Sequence, residues 1–267
     1  MPGYDPGVRW SVPVVLLAAC GHVNFDGSGD GGGGGGGGDG GGVIDAAGDG
    51  VAAANDCRAG TYELCDGFEG DAFAAYWTVD ANVTLDTIAH RGAHSAHFQL
   101  PALPANTTGE TLITEAVTLP LGDQTFYVRM YMRLGSLPAG GNAMEIISAV
   151  QTSFAHEDAL FLDAADLAVY SQWPDNSQHN LEQPATNAWL CVLFTVKRAT
   201  TAIGEVTLGG DETATSLTNV QTDGNPPLVD LQFGPQLAGT NAPDAQPVLD
   251  MWIDDLIVDK NPLTCAE

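Results

Sequence analysis

Three observations in the sequence predict an all-β fold, a sandwich of two antiparallel sheets. Residues 125–134 alternate between apolar and polar side chains, which is the two-residue period of a half-buried strand. Several further short segments repeat this pattern, and turn clusters such as "LPAGGN" and "TDGNPP" separate them. From Cys57 to Glu267 we find no amphipathic pattern long enough for a stable helix.

Residues 1–19 have the features of an export signal. The apolar run from Trp10 to Ala19 has the length of a signal-peptide core, whereas crossing a bilayer takes about 20 apolar residues. The letters "LAAC" at its end resemble the lipobox of bacterial lipoproteins. That resemblance implies cleavage before Cys20, acylation of the Cys20 thiol, and a lipid anchor in the outer membrane or at the cell surface. The alternative is an ordinary secretory signal with a chance cysteine.

Residues 20–56 are predicted to form a disordered tether between the lipidated Cys20 and a folded domain. The segment is rich in glycine and aspartate and offers little apolar area for burial. Glycine also loses more backbone entropy on ordering than any other residue. A phosphate-binding glycine loop would need a strand before it and a helix after it, and neither is predicted.

Residues 57–267 form the predicted sandwich domain. The inward residues of "HSAHFQL", "FYVRMYMRL" and "NAWLCVLFTVK" are Ala96, Phe98, Leu100, Phe126, Val128, Met130, Met132, Leu134, Leu190, Val192, Phe194 and Val196. Further strands are predicted at "AMEIISAVQ", "LAVYSQW", "IGEVTLGG", "LVDLQFG" and "VLDMWIDDLIVD". Such a series of short strands with regular turns is typical of a β-sandwich or a jelly roll.

The order of these segments resembles that of concanavalin A-like lectin and glucanase domains, including the LamG-like jelly rolls. The segment "LCDGFEG" resembles the F-E-G opening strand of that family. Other positions typical of the family are matched by Gly92, Ser95, Phe98, Trp189, Asp254 and Asp255. The resemblance covers residues 64–260. It implies two curved sheets, with ligands bound on the concave face or at the rim of loops.

The polar face of the strand at 126–134 is the leading candidate for ligand binding. It contains Tyr127, Arg129, Tyr131 and Arg133. Tyrosine rings offer apolar faces for sugar rings, and arginine binds a carboxylate or sulfate through two parallel hydrogen bonds. This composition favours an acidic polysaccharide as the ligand, with Trp173 as a further stacking candidate at the rim. The alternative is a solvated strand whose arginines pair with nearby acids.

Glu145 is a candidate for glycan contact or catalysis. A retaining glycosidase needs two carboxylates about 5–5.5 Å apart, but Ile147 and Ala149 follow Glu145 on its strand, so the second acid is missing. A polysaccharide lyase would need only a cation for the uronate carboxylate and a tyrosine or histidine for the proton. The interpretation that we favour is an ion pair between Glu145 and Arg129 or Arg133.

The charge of the chain excludes two classes of partner. The sequence has 34 acidic and 8 basic residues, a net charge of −26, and 27 of the acids and 7 of the cations lie from Cys57 onward. Nucleic acid and anionic membrane surfaces would be repelled by such a domain. The membrane is therefore expected to be contacted through the lipid anchor alone.

Four cysteines remain after Cys20, and they are Cys57, Cys65, Cys191 and Cys265. An even number in an exported chain predicts two disulfides, with three possible connectivities. We favour Cys57–Cys65 with Cys191–Cys265, and Cys65–Cys265 is the main competitor. No CxxC spacing is present, so a zinc site is not predicted.

Two further groups resemble metal ligands. His90, His94 and His97 have helical ligand spacing, but the segment is predicted as a turn followed by a strand, on which His94 and His97 face opposite ways. Asp254 and Asp255 would offer oxygens to calcium, but neighbours on a regular strand also point apart. Structural carboxylates are the simpler interpretation, and no cofactor is predicted.

The sequence as a whole favours a lipid-anchored surface protein that binds carbohydrate without catalysis. A polysaccharide lyase or glycoside hydrolase of the same fold is the first alternative. A structural or adhesive domain without sugar specificity is the second. The polar face at 126–134, Glu145 and Trp173 are the residues on which these alternatives differ.

Overall fold

The computed structural model describes most of the predicted domain. The described residues are 57, 62–115, 125–151, 157–163, 166–171, 178–180, 183–197, 204–210, 217–222, 228–238 and 242–265. All of them belong to one unit, Gly42–Glu267. The described part contains sixteen strands and no α-helix, so the predicted all-β class is confirmed.

The strands range in length from 2 to 11 residues. They are β1 (Leu64–Asp66), β2 (Trp77–Val79), β3 (Val83–Asp86), β4 (Ser95–Leu100), β5 (Gly109–Glu110), β6 (Ile113–Glu115), β7 (Phe126–Leu134), β8 (Ala143–Gln151), β9 (Glu157–Asp163), β10 (Asp166–Ser171), β11 (Gln178–Asn180), β12 (Trp189–Lys197), β13 (Gly204–Gly210), β14 (Leu217–Thr222), β15 (Leu228–Leu237) and β16 (Leu249–Asp259).

These strands form two antiparallel sheets of eight strands each. The first sheet has the order β14-β13-β12-β7-β16-β4-β3, with β1 also paired to β16. The second sheet has the order β11-β10-β9-β8-β15-β6-β2, with β5 also paired to β15. Strands β7 and β8 are consecutive in sequence but belong to different sheets, so the connection between them crosses from one sheet to the other.

The core lies between the two sheets and is formed by the predicted inward residues. Phe98, Phe126 and Phe194 from the first sheet and Phe233 from the second are completely buried in one hydrophobic cluster. The alternation predicted for β4, β7 and β12 is confirmed, because the inward residues of these strands all lie in or against this cluster. The remaining residues of the same strands therefore lie on the outer faces of the sandwich.

Gly234 allows the second sheet to approach the first closely. Its φ of 131° lies in a region that side chains disfavour. A Cβ at this position would lie 2.2 Å from the Thr111 carbonyl oxygen and 2.9 Å from the Phe98 ring. The glycine therefore permits a break in the regular pairing of β15, where the register shifts between Phe233 and Gln236.

Both predicted disulfides are present. Cys57 pairs with Cys65, and Cys191 pairs with Cys265. The first bridge packs against Ile257 in a small cluster separate from the main core. The second bridge joins β12 to the C-terminal segment after β16. The competing Cys65–Cys265 connectivity is therefore wrong.

Candidate functional site

The polar face of β7 lies on the outside of the first sheet, as the alternation predicts. Its residues nevertheless differ in exposure. Tyr127 and Arg133 are partly buried, whereas Arg129 and Tyr131 are each only 6% exposed. Other segments must therefore cover the middle of this strand, which the sequence pattern alone does not reveal.

Tyr131 is covered by a loop and by the C-terminal segment. The His90 ring stacks on the Tyr131 ring with a centroid separation of 3.6 Å and an interplanar angle of 11°. The Tyr131 hydroxyl donates a hydrogen bond to the Cys265 carbonyl oxygen at 3.3 Å. The Arg129 guanidinium lies 5.8 Å from the centroid of the same ring. Tyr131 therefore offers little free surface on which a sugar ring could stack.

Asp254 and Asp255 hold the loop that covers Tyr131. Asp254 Oδ2 accepts hydrogen bonds from the backbone N–H groups of His90 at 2.7 Å and Arg91 at 3.1 Å. Asp255 Oδ2 lies 3.1 Å from His90 Nδ1 and 4.0 Å from Arg91 Nε. The expectation that the two carboxylates point apart is wrong. The register of β16 shifts between Asp254 and Ile257, and Asp255 has a φ of 47°, so both side chains reach the same loop.

Both side-chain oxygens of Asp254 already accept hydrogen bonds from backbone N–H groups. Asp254 Oδ1 accepts a third hydrogen bond, from the Asp255 N–H at 2.8 Å. Burial, followed by the charge of Asp255, raises the pKa of Asp254 to about 7, although the three amide hydrogen bonds act in the opposite direction. Among the described residues, no group of three or more His, Cys, Asp or Glu side chains is arranged to hold a metal ion. Calcium binding at Asp254 and Asp255 therefore stays an alternative to the structural role that the sequence favours.

A row of basic and aromatic side chains crosses four strands of the first sheet on its outer face. His97 on β4 pairs in register with Trp252 on β16, Trp252 with Arg133 on β7, and Arg133 with Trp189 on β12. Residues directly opposite each other on paired strands point to the same face. We call His97, Trp252, Arg133 and Trp189 the basic–aromatic row. At about 4.8 Å per strand, it extends about 14 Å across the sheet.

The side chains of this row contact one another. The His97 ring lies parallel to the Trp252 ring with a centroid separation of 4.8 Å. The Arg133 guanidinium lies 5.6 Å from the Trp252 ring centroid, within the range of a cation–π contact. At the other end of the row, His90 meets Trp189 edge to face at 5.7 Å. Trp252 is largely buried, whereas Arg133 and Trp189 keep accessible surface.

Arg133 has no carboxylate partner within the described part of the chain. Its only polar contact there is a long hydrogen bond of 3.5 Å from Nη2 to the Asn187 Oδ1 atom. Its Nε atom is buried without a hydrogen-bond partner in the same part of the chain. Other cations do pair, since Arg91 lies near Asp255 and Lys260 contacts Glu63 at 2.7 Å. In so acidic a domain, a guanidinium without a carboxylate is available to an anionic ligand.

The other predicted site residues do not join this row. Tyr127 lies on the same face of β7, opposite Asp259 and Thr195. Glu145 lies on β8 in the second sheet, where it accepts a hydrogen bond from the Ser148 hydroxyl at 3.3 Å. Trp173 lies outside the described residues.

The second sheet has a polar row on its outer face that the sequence analysis missed. Ser148 on β8, Gln232 on β15, Thr114 on β6 and Thr78 on β2 are consecutive partners in register. The side chains of Gln232, Thr114 and Thr78 keep accessible surface, and their polar groups can both donate and accept hydrogen bonds, as sugar hydroxyls require. Ser148 is buried and donates to Glu145. No local sequence signal could have found this row, because its residues come from four strands and only the register brings them together.

A second carboxylate also lies across β15 from Glu145. Gln236 pairs in register with Glu145 on one side and with Glu110 on the other, and its amide donates to Glu110 Oε2 at 3.2 Å. Burial, followed by the charge of Asp80, raises the pKa of Glu110. Two strand spacings separate the backbones of the two acids by about 10 Å. Glu110 could not be predicted as a partner of Glu145 from one strand, because it lies on β5 and only the pairing with β15 brings the two acids together.

No helix in the described part of the chain is long and apolar enough to cross a membrane.

The strand order and the pairing place the domain in a structural class, the two-sheet antiparallel jelly-roll sandwich. Solved structures of this class superpose on it. The cellulose-induced protein Cip1 gives a TM-score of 0.57 at 17% identity, covering 76% of this chain and 100% of that chain. An endo-β-1,4-glucuronan lyase from the fungus Trichoderma reesei gives a TM-score of 0.51 at 12% identity, covering 75% of this chain and 91% of that chain.

A neurotoxin domain superposes as well. The binding domain of a botulinum neurotoxin of serotype D/C gives a TM-score of 0.50 at 14% identity, covering 71% of this chain and 46% of that chain. No protein-family model and no curated protein sequence matches the chain. At such low identities the likeness establishes the jelly-roll fold that the sequence predicts, and the activity has to be argued from the outer faces.

Proposed function

We propose that this chain is an exported, lipid-anchored surface protein whose β-sandwich binds an acidic polysaccharide without catalysing a reaction. The main support is Arg133, a partly buried guanidinium without a carboxylate partner among the described residues. Guanidinium groups form two parallel hydrogen bonds with carboxylates and sulfates. Trp189, its neighbour in register, keeps accessible surface against which a sugar ring can pack.

The structural neighbours are consistent with this class of ligand. One of them is named as cellulose-induced and another as a glucuronan lyase. Both names mention a polysaccharide, and glucuronan is a polymer of uronic acid. Because the identities are low, these names favour carbohydrate as a ligand class and do not identify the polymer.

Replacing Arg133 by alanine is expected to weaken binding to an acidic polysaccharide by at least about tenfold, because a hydrogen bond between charged groups contributes about 1.5–3 kcal/mol. Arg133→Lys keeps the charge but loses the planar fork, so it should retain part of the affinity. Isothermal titration calorimetry on the full-length protein in detergent, with neutral and uronate- or sulfate-bearing polymers, measures both effects.

Lys260→Ala is the matched control, since it also removes one positive charge but from an existing pair with Glu63. Its affinity should change less than twofold. Equal losses for Arg133→Ala and Lys260→Ala would mean that overall charge governs binding and that Arg133 is no specific contact. Absence of binding to every polymer would favour the structural or adhesive alternative.

The lipid anchor is proposed from residues 1–20 alone. Cys20→Ala is expected to abolish labelling by a radioactive fatty acid and to shift the protein from the membrane fraction to the soluble fraction, because two or more buried acyl chains are needed for stable anchoring. Metabolic labelling followed by fractionation measures this. Persistent labelling of the alanine variant would show that acylation occurs elsewhere or that another segment holds the protein in the membrane.

A glycoside hydrolase is the second candidate, and Glu110 and Glu145 on either side of Gln236 favour it. Inverting enzymes hold their two carboxyl groups about 6.5–9.5 Å apart, and one of them needs a raised pKa. The backbone separation of about 10 Å and the raised pKa of Glu110 are compatible with such a pair. Shortening of a polymer during incubation with the protein would favour this function, and unsaturated product ends would favour a lyase.

A further inference from the structure

Two carboxylates, those of Asp86 and Asp250, border the basic–aromatic row at its His97 end. His97 Nε2 lies 2.9 Å from Asp250 Oδ1, and His97 Nδ1 lies 3.9 Å from Asp86 Oδ2. The side chains of Asp86 and Asp250 are 29% and 36% exposed. Both charges therefore face the solvent on the side of the sheet where a ligand would contact Arg133.

This end of the row has a negative net charge. The Trp252 indole N–H donates to Asp86 Oδ2 at 2.9 Å, and this hydrogen bond is the main reason why the pKa of Asp86 is lowered, although partial burial acts against it. One imidazole, which carries at most one positive charge, faces two carboxylates. The formal charge of this group is therefore negative.

The negative end lies close to Arg133. Arg133 pairs with Trp252, and Asp250 lies two residues from Trp252 on the same face of β16. From the strand spacing and the rise per residue, the Arg133 and Asp250 Cα atoms are about 8 Å apart. Gly135 lies beside Asp250, to whose carbonyl oxygen it donates at 2.8 Å, and it has no side chain that could screen the carboxylate.

We infer that this surface selects glycans in which a single anionic group is flanked by neutral sugars, and that Asp250 and Asp86 discriminate against polymers charged on every residue. The inference rests on the proposed function, since it requires Arg133 to bind the anionic group. It assigns a specificity role to the two aspartates.

The physical basis is the spacing of charges along a polymer. A sugar unit is roughly as long as one strand spacing, about 5 Å. When one anionic group contacts Arg133, an anionic group on the next unit towards β4 approaches Asp250 and Asp86. The separation between this anionic group and the two carboxylates is then about one Debye length at physiological ionic strength, about 8 Å, and like charges at that separation still repel. A neutral unit at that position can instead pack beside His97 and Trp252 without this repulsion.

The test compares hexasaccharides of equal length with a uronate on every unit, on alternate units, or on none. In competition binding to the full-length protein, the alternating hexasaccharide should bind about three- to fivefold more tightly than the fully charged one. Asp250→Asn should remove most of this preference by improving binding of the fully charged hexasaccharide. Asp71→Asn, which removes one exposed negative charge elsewhere, is the matched control and should leave the preference intact.

Each result separates the inference from the proposed function. Equal or tighter binding of the fully charged hexasaccharide by the wild type overturns the inference, while Arg133→Ala still tests the proposed function. The same loss of preference in Asp71→Asn and Asp250→Asn would mean that net charge decides, which also overturns it. If Asp250→Asn does not fold, Asp86→Asn serves as the second variant and is expected to act in the same direction. If neither acidic hexasaccharide binds, the proposed function itself is overturned.

Discussion

Replacing Cys191 and Cys265 by alanine is expected to lower the free energy of unfolding by about 4.5 kcal/mol. The bridge joins residues 74 positions apart, and cross-linking so long a loop removes much conformational entropy from the unfolded chain. The Cys57–Cys65 bridge spans only 8 positions, so its removal should cost about 2.5 kcal/mol by the same relation. Urea unfolding of both double variants and the wild type, without reductant, measures the difference.

The longer bridge also holds the C-terminal segment against β7, and this contribution needs a separate control. Tyr131→Phe removes the hydrogen bond to the Cys265 carbonyl oxygen while leaving both disulfides intact. We expect it to cost about 1 kcal/mol, the usual contribution of one hydrogen bond. Equal destabilisation by loss of the short and the long bridge would contradict the loop-entropy argument. It would mean that the bridges stabilise the protein through contacts in the folded state.

The faces of the strands could be predicted from the sequence because the side-chain period of a strand is two. In β7, Met130 and Met132 alternate with Arg129, Tyr131 and Arg133, and the structure places the two sets on opposite faces as predicted. The segments that cover an outer face could not be predicted. The loop around His90 and the segment around Cys265 cover Tyr131, and both come from distant parts of the chain.

The rows of side chains across the sheets could not be predicted, because they depend on strand order and register. His97, Trp252 and Trp189 are far apart in sequence and show no shared motif, yet pairing brings them beside Arg133. A shift of one residue in any of these strands would turn its member of the row to the other face. The sequence therefore indicated that Arg133 is a candidate, and the structure identifies its neighbours.

The Asp254–Asp255 pair shows how a register shift in a strand breaks the alternation of side chains on which the sequence prediction depends. In a regular strand one of the two carboxylates would enter the core, and burying it there without partners would be costly. The shift of register in β16 and the positive φ of Asp255 turn both towards the loop at His90. Asp residues adopt this backbone region more readily than most others, but the sequence gives no means of locating the bulge.

The stability of the domain is expected to fall as the pH rises from about 4 to about 8 through a contribution from Asp254. The pKa of this group is raised to about 7 in the folded protein from 3.8, first by burial and then by the charge of Asp255. A carboxyl group with a raised folded pKa binds its proton more tightly in the native state, so its stabilising contribution is complete below pH 4 and is lost as the pH rises through 7. The loss amounts to about 4 kcal/mol at most.

Asp254→Asn isolates this contribution from the titration of the other acidic groups. Asparagine stays neutral, and its side-chain oxygen can still accept hydrogen bonds from the His90 and Arg91 N–H groups. Its NH2 group would then face the Asp255 N–H, and two donors cannot form a hydrogen bond with each other. The variant should therefore be less stable than the wild type at pH 4, and this disadvantage should shrink or reverse by pH 8. Thermal unfolding across this pH range, with a chelator present so that no bound cation stabilises the ionised form, measures the difference. A disadvantage that grows with pH would mean that the three amide hydrogen bonds outweigh burial and that Asp254 is ionised throughout.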